Sequence, residues 1–435
     1  MDESEVNHIQ ASFFTKDSRY FVQDTSFSLP VNVTPTELSS LICQLLESNE
    51  ADISNKLSST QFDFLINGEL IRDSLDSHVT SRDLPTENVI AIEYVERSAP
   101  PSLTEELSHQ DWVSCAHCSR RFILSGCYDN SVSVWSHSGK LVSMSKEHSG
   151  PVKDVKWVTP NVSTEEELLF LSASQDQNIH LWQLSTTGST LSLCYEYKGH
   201  ARSVEAIAVS PDATKFCSVS WDTFLKIWSA VPDDSLPDET LDNEDSSSKR
   251  AKTTTLNRTP VRTPIVTFQG HSGPVSSVEW VGEGELVTAG WDHCLRTWDV
   301  HSGENKTTLT GSKVFHDISW SSLNGLVASA NSDKLVRIWD LREKGMYCMH
   351  GTSMIQSTLS SHQGWVVCVN WSPIDEHQLL SGSYDSTLKL WDIRSSKLPL
   401  YTISAHEGKV LCSDWSLPQM FVSGGDDNKL RTYSV

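Results

Sequence analysis

Short runs in which apolar and polar residues alternate recur along the C-terminal three quarters of the chain. VKDVKW (152–157), VSSVEW (275–280) and VVCVNW (366–371) each read as a buried strand of period two. Downstream of each run comes a hydroxyl residue, then an Asp four residues later and an aromatic six residues after that. The set recurs seven times: Ser125/Asp129/Trp135, Ser172/Asp176/Trp182, Ser218/Asp222/Trp228, Thr288/Asp292/Trp298, Ser329/Asp333/Trp339, Ser381/Asp385/Trp391 and Ser423/Asp427/Tyr433. Six of the seven are preceded by a histidine (His109, His148, His200, His271, His362 and His406), at 20, 28, 22, 21, 23 and 21 residues from the Asp. One register kept seven times is a structural repeat. The fifth copy, GSKVFHDISW, lacks this histidine, because His316 comes too late, and a looser unit is expected there.

Residues 6–97 carry a different pattern. NHIQASFFT and YFVQDTSFSLPV read as a hairpin, and TPTELSSLICQLLESNE has amphipathic helical spacing with Thr34 or Thr36 as N-cap. FDFLING, LIRDSL and VIAIEYV read as three further short strands. The order ββαβ(β)β predicts a ubiquitin-like β-grasp domain over 6–97, ahead of an all-β region over 98–435. It has no terminal Gly-Gly, so covalent conjugation is not expected.

Composition narrows the function classes. The net charge is -22, from 34 basic and 56 acidic residues, a field that repels polyanions and makes proteins the expected partners. Whether a local basic patch touches RNA is left open by the sequence. The start MDESEVNHIQ has no secretory pattern, no run approaches a membrane span, and ten cysteines in this context are expected to be reduced thiols. Cys115 and Cys118 form a CxxC within one strand. Residues three apart in a strand point to opposite faces, so no metal site is expected there, and no cofactor elsewhere.

Gly-His at 199–200 and 270–271, with Trp-Asp at 298–299, 339–340 and 391–392, makes residues 100–435 similar to the WD-repeat family. That resemblance implies a seven-bladed β-propeller in which His, hydroxyl, Asp and Trp form a hydrogen-bonded network inside each blade. A buried Asp needs donors, and imidazole, hydroxyl and indole N–H supply them. The same residue types make a hydrolase triad, but seven copies at one spacing are a packing motif, and no enzyme is expected. The chain ends two residues after Tyr433, so the fourth strand of the last blade is expected from Pro101–Ser108, closing the ring.

FDFLINGELIRDSL, ENVIAIEYVERS, RTPIVTFQGH and SGGDDNKL together resemble the WD-repeat subunits of the PeBoW complex; the related notchless proteins share the N-terminal domain type but have eight blades. The resemblance implies a nuclear assembly factor of nucleolus and nucleoplasm, acting in large-subunit maturation and pre-rRNA processing with pescadillo-type and block-of-proliferation-type partners. It also implies release by the AAA-ATPase midasin, with Glu87 in the loop DLPTENV completing a metal site on that partner and Glu69 as the competing carboxylate. The other function class is a ubiquitin-pathway adaptor using the propeller as a substrate platform.

Two surface features complete the reading. The residues before the seven repeat Asp are Tyr128, Gln175, Trp221, Trp291, Ser332, Tyr384 and Asp426. Aromatics at exposed turns predict a partner-binding face, with Trp221 and Trp291 as anchors beside Tyr128 and Tyr384. Residues 230–264 turn from acidic to basic and predict a disordered insertion between blades three and four, with Lys249, Arg250 and Lys252 as a nuclear-import patch and neighbouring Thr and Ser as possible phosphoacceptors.

Overall fold

The computed structural model describes residues 8–23, 25–49, 60–83, 85, 88–97, 99–158, 167–185, 189–231, 259–341 and 355–435. They form two compact units that divide near residue 100.

The N-terminal unit is a five-stranded sheet in the order β2-β1-β5-β3-β4, with β1 (His8–Phe14), β2 (Ser26–Pro30), β3 (Phe62–Ile66), β4 (Glu69–Leu70) and β5 (Ile90–Glu96). β1 runs parallel to β5, Ala11 opposite Ile90, while the other neighbours are antiparallel. The helix α1 (Pro35–Asn49) presents Leu38, Ile42 and Leu46 to Phe13, Phe62, Phe64 and Ile92, one apolar stripe against one sheet face. Glu37 reaches back to accept the Thr34 N–H at 2.8 Å, which fixes where the helix starts. This is the β-grasp. LIRDSL, however, is not a strand. Only its first residue, Leu70, belongs to β4, and Leu75 opens a second helix, α2 (Leu75–Ser81), capped by Ser74, which accepts the Ser77 N–H. Leu75 and Val79, four apart and both buried, give α2 its reason to coil.

Beyond residue 100 lie seven antiparallel sheets of four principal strands, the blades of a propeller. Each inner strand carries a β-bulge after its first residue, at Val113/Cys115, Val152/Asp154, Val204/Ala206, Val275/Ser277, Phe315/Asp317, Val366/Cys368 and Val410/Cys412. The bulge explains why valines three apart, such as Val152 and Val155, are both buried, which strict alternation does not allow. As expected, the last blade takes its outer strand from Ser102–Ser108, which pairs with Lys429–Ser434. Glu106 pairs there with Arg431 at 2.8 Å and Lys429 at 2.7 Å, so the join is held by charge as well as by the ladder.

Inside blades two, three, four, six and seven the histidine Nδ1–H donates to the Asp, at 2.9, 2.8, 2.9, 2.9 and 2.8 Å. The histidine Nε2 accepts from the hydroxyl at 2.7 to 2.8 Å. Trp182, Trp228, Trp298 and Trp391 donate their indole N–H to the same hydroxyls at 2.8 Å. Burial alone raises the Asp176 and Asp222 carboxyls, but imidazole and amide donors outweigh it and hold both down to about 2. Burial lowers His200, His362 and His406, which keeps these rings neutral and able to donate from one nitrogen while accepting at the other. The glycine of the Gly-His dipeptide also has a steric role: a Cβ on Gly270 would stand 2.6 Å from the Trp298 ring.

Blade seven has Tyr433 in place of the Trp, its hydroxyl donating to the Ala405 carbonyl at 3.5 Å, and two further blades depart from this arrangement. Blade five is not loose. Arg337 clasps Asp333 through Nη1 at 3.0 Å and Nη2 at 2.5 Å, and Asn331 donates to Ser329 Oγ at 3.1 Å, so a guanidinium and an amide stand in for the missing imidazole. In blade one His109 bonds Ser125 at 2.8 Å but turns Nδ1 to the Leu107 carbonyl, and Asp129 pairs instead with Lys146 at 2.6 Å. His109 directly follows the ring-closing strand, whose path sets its approach.

The insertion expected to be disordered at 230–264 is described only at its two ends. Residues 232–258, with Lys249, Arg250 and Lys252, lie outside the described residues. Residues 259–264 are ordered: Val261–Arg262 adds a fifth strand to blade two, parallel to its outer strand Thr190–Tyr197.

Candidate functional site

At one end of the propeller channel every blade repeats the same turn. The residue before the tetrad Asp donates its backbone N–H to the residue leading into the inner strand: Tyr128 to Trp112, Gln175 to Pro151, Trp221 to Ser203, Trp291 to Pro274, Ser332 to Val314, Tyr384 to Trp365 and Asp426 to Lys409. The residue after each Asp, from Asn130 to Asn428, has positive φ, so the turn reverses sharply and leaves the preceding side chain on the rim. Side chains here are therefore set by a rigid frame and chosen by the sequence.

Three of these positions, Trp221, Trp291 and Tyr384, join with His316 and Trp365 from the inner-strand side in one aromatic arc over four blades. Trp221 and Trp291 meet with ring centroids 5.2 Å apart, Trp291 stands edge-on to His316 at 6.5 Å, His316 stacks on Trp365 at 5.6 Å, and Trp365 stacks on Tyr384 at 5.9 Å. Lys409 Nζ lies 4.9 Å above the Tyr384 ring. A second group pairs Trp112 with Tyr128 at 5.5 Å and caps Tyr128 with Lys153 at 4.7 Å. Trp112, Trp221, Trp291 and Trp365 remain 46, 37, 42 and 50% exposed despite these contacts. Burial works against the Lys153 charge, yet Glu205 and Tyr128 more than restore it, while burial lowers His316 and keeps it a neutral stacking ring.

The four aromatics expected from sequence are all on this rim, but they fall into two groups. Tyr384 joins Trp221 and Trp291 only through His316 and Trp365, and Tyr128 belongs with Trp112. His316, dismissed as a misplaced tetrad histidine, bridges two tryptophans. Trp112, Trp365, Lys153 and Lys409 carry a usable signal, since each lies at or just before the start of an inner strand. In the N-terminal unit Glu87 lies outside the described residues, and Glu69 is engaged in an ion pair with Arg82. Cys115 packs towards Val152 of blade two while the Cys118 N–H is bonded by Asp414 of blade seven, and burial pushes both thiols well up. The rim thus offers half-exposed flat rings between two cations, a surface suited to holding a partner.

Comparison with known proteins follows the same division. Residues 9–79 match the NLE (NUC135) domain, and residues 102–136, 191–229, 262–299, 303–340, 353–392 and 397–434 match the WD domain, G-beta repeat. Blade two escapes the repeat match; its interval of 28 residues from His148 to Asp176 is the longest of the six. A ribosome biogenesis protein WDR12 homolog of Nematostella vectensis is 43% identical over 99% of this chain and all of its own length. Those of Ixodes scapularis and Anopheles gambiae are 44% and 40% identical, over 99% and 98% of this chain and 99% and 94% of theirs. With both units matched across nearly the full length of such relatives, the chain belongs to the WDR12 family of ribosome biogenesis proteins.

Proposed function

We propose that this chain is a non-catalytic scaffold and assembly factor for the large ribosomal subunit, working in pre-rRNA processing in the nucleolus and nucleoplasm. Its partners in this reading are pescadillo-type and block-of-proliferation-type proteins, with midasin removing it from the pre-ribosome through Glu87. Lys249, Arg250 and Lys252 serve nuclear import. The observation that carries the scaffold role is the rim: an exposed aromatic arc fixed on a rigid ring whose tetrads are already satisfied among themselves. The process comes from the relatives, whose identity extends over both units.

Co-purification from nuclear extract followed by mass spectrometry tests the assignment. Pescadillo-type and block-of-proliferation-type proteins with large-subunit pre-ribosomal components are expected; ubiquitin-ligase subunits in their place would establish the adaptor role instead. Glu87→Ala is expected to leave folding intact and abolish divalent-metal-dependent capture of midasin, because a carboxylate oxygen is the hard ligand such a cation takes. Undiminished capture removes Glu87 from the mechanism.

A further inference from the structure

The rings of the arc carry polar edges that the chain itself does not use. The tetrad indoles of Trp228 and Trp298 each donate to a hydroxyl at 2.8 Å. On the rim, by contrast, the indole N–H groups of Trp221, Trp291 and Trp365 and the Tyr384 hydroxyl have no hydrogen-bond partner among the described residues. The arc therefore presents ring faces and unused donors together.

Charge around these turns is one-sided. Arg202 and Lys313 directly precede the residues whose carbonyls hold the turns of blades three and five, Lys334 follows Asp333, and Lys409 leads into blade seven. All four are exposed, and none has an ion-pair partner among the described residues. The carboxylates at the turns of blades three to six are already taken. Asp222, Asp292 and Asp385 accept from His200, His271 and His362, Asp333 from Arg337, and Glu205 accepts the Ser203 hydroxyl at 2.6 Å. A basic ligand would find no free counter-charge along the arc, and a long polyanion would meet the field of a chain at -22.

These features select a backbone type. A helix spends its carbonyls internally, and a β-strand brings N–H groups that find no free acceptor here. Proline has no N–H, and a polyproline II helix has no internal hydrogen bonds, so its carbonyls stay open while its flat pyrrolidine rings face outward. From Trp221 to Tyr384 the arc runs over four ring contacts of 5.2 to 6.5 Å. At ~3.1 Å per residue, roughly six to eight residues of polyproline II cover that path.

Resting on the reading of the rim as a partner face, we propose that the arc holds a proline-rich segment of a partner protein in the polyproline II form, flanked by acidic residues. Prolines stack on Trp221, Trp291 and Trp365, and carbonyls between them accept the indole N–H and Tyr384 hydroxyl donors. The flanking carboxylates reach Arg202, Lys313, Lys334 and Lys409.

The test uses the full chain and a fluorescein-labelled peptide of six prolines with a glutamate pair at each end, read by anisotropy. Saturable binding is expected, weakened at least roughly tenfold by Trp221→Ala with Trp291→Ala. Trp365→Phe keeps a ring and deletes one donor, and should weaken binding about three- to tenfold. No binding of this peptide, equal binding of its alanine-for-proline version, or tighter binding of a lysine-flanked version or of oligouridine RNA overturns the proposal. Partners captured from nuclear extract separate the two levels. Displacement of a captured partner by excess peptide supports the proline-rich occupant. If the double variant loses a partner that the peptide does not displace, the rim remains a partner face and only the proline-rich occupant falls. If the double variant loses no partner and the peptide displaces none, both fall.

Discussion

Trp221 and Trp228 are seven residues apart, as are Trp291 and Trp298, yet the members of each pair have opposite roles. Trp228 and Trp298 are fully buried, each donating to a tetrad hydroxyl at 2.8 Å. Trp221 and Trp291 stand on the rim with over a third of their surface open and stack on each other. The repeat fixes the buried position in every blade, because a hydroxyl waits there for one aromatic, with an imidazole beside it in all blades but the fifth. It leaves the rim position free, because the turn needs only a backbone N–H from that residue. Tetrads therefore report the fold, and the rim reports what is particular to this chain.

The largest effect should come from the buried member. Trp298→Ala removes the ring packed against Gly270 and takes the indole donor from Thr288, and large aromatic truncations of this kind cost about 3–5 kcal/mol. Chemical denaturation of the full chain measures it. A loss under about 1 kcal/mol would mean that the tetrads are not what holds a blade together.

Blade five sharpens the contrast between a position the fold fixes and one it can refill. Its histidine is missing, and Arg337 with Asn331 has taken over the donations. Arg337→Leu would strand the Asp333 carboxylate, a change that costs 3–5 kcal/mol for a wholly buried pair; partial solvent access to Asp333 (19%) brings the expectation to about 2–3 kcal/mol. If denaturation midpoints of this variant and the parent coincide, the clasp is incidental.

The repeat was legible in sequence because the seven sets obey one spacing, and the ring closure followed from the position of the last aromatic. What sequence missed has physical causes. The apolar spacing of three in the inner strands comes from the bulge, which alternation does not encode. α2 was hidden because LIRDSLDSHVTS satisfies a short strand or a short helix until the Ser74 cap decides. The Arg337 clasp lies four residues along a hairpin and reads as an ordinary surface pair. The rim was half legible: residues before each Asp were found, but their neighbours from the start of the inner strands, Trp112, His316 and Trp365, are brought together only by folding.

The smallest effect on stability should come with the largest effect on binding, at the rim. Trp221→Ala with Trp291→Ala removes rings that already face solvent on one side, so folding should change by only about 1 kcal/mol, in keeping with surface positions. Affinity for the complex partner seated there should fall by at least roughly tenfold, since a central aromatic hot spot is commonly worth 2 kcal/mol or more. Trp365→Ala gives the finer test. Trp365 stacks between His316 and Tyr384, so its loss divides the arc without touching either anchor. If a partner lies along the whole arc, titration calorimetry should show Trp365→Ala weakening it nearly as much as the double variant; if only Trp221 and Trp291 are gripped, Trp365→Ala should bind like the parent. Unchanged binding of every complex member by both variants would reduce the arc to a self-packed surface and remove the distinction between rim and core that the two sets of tryptophans draw.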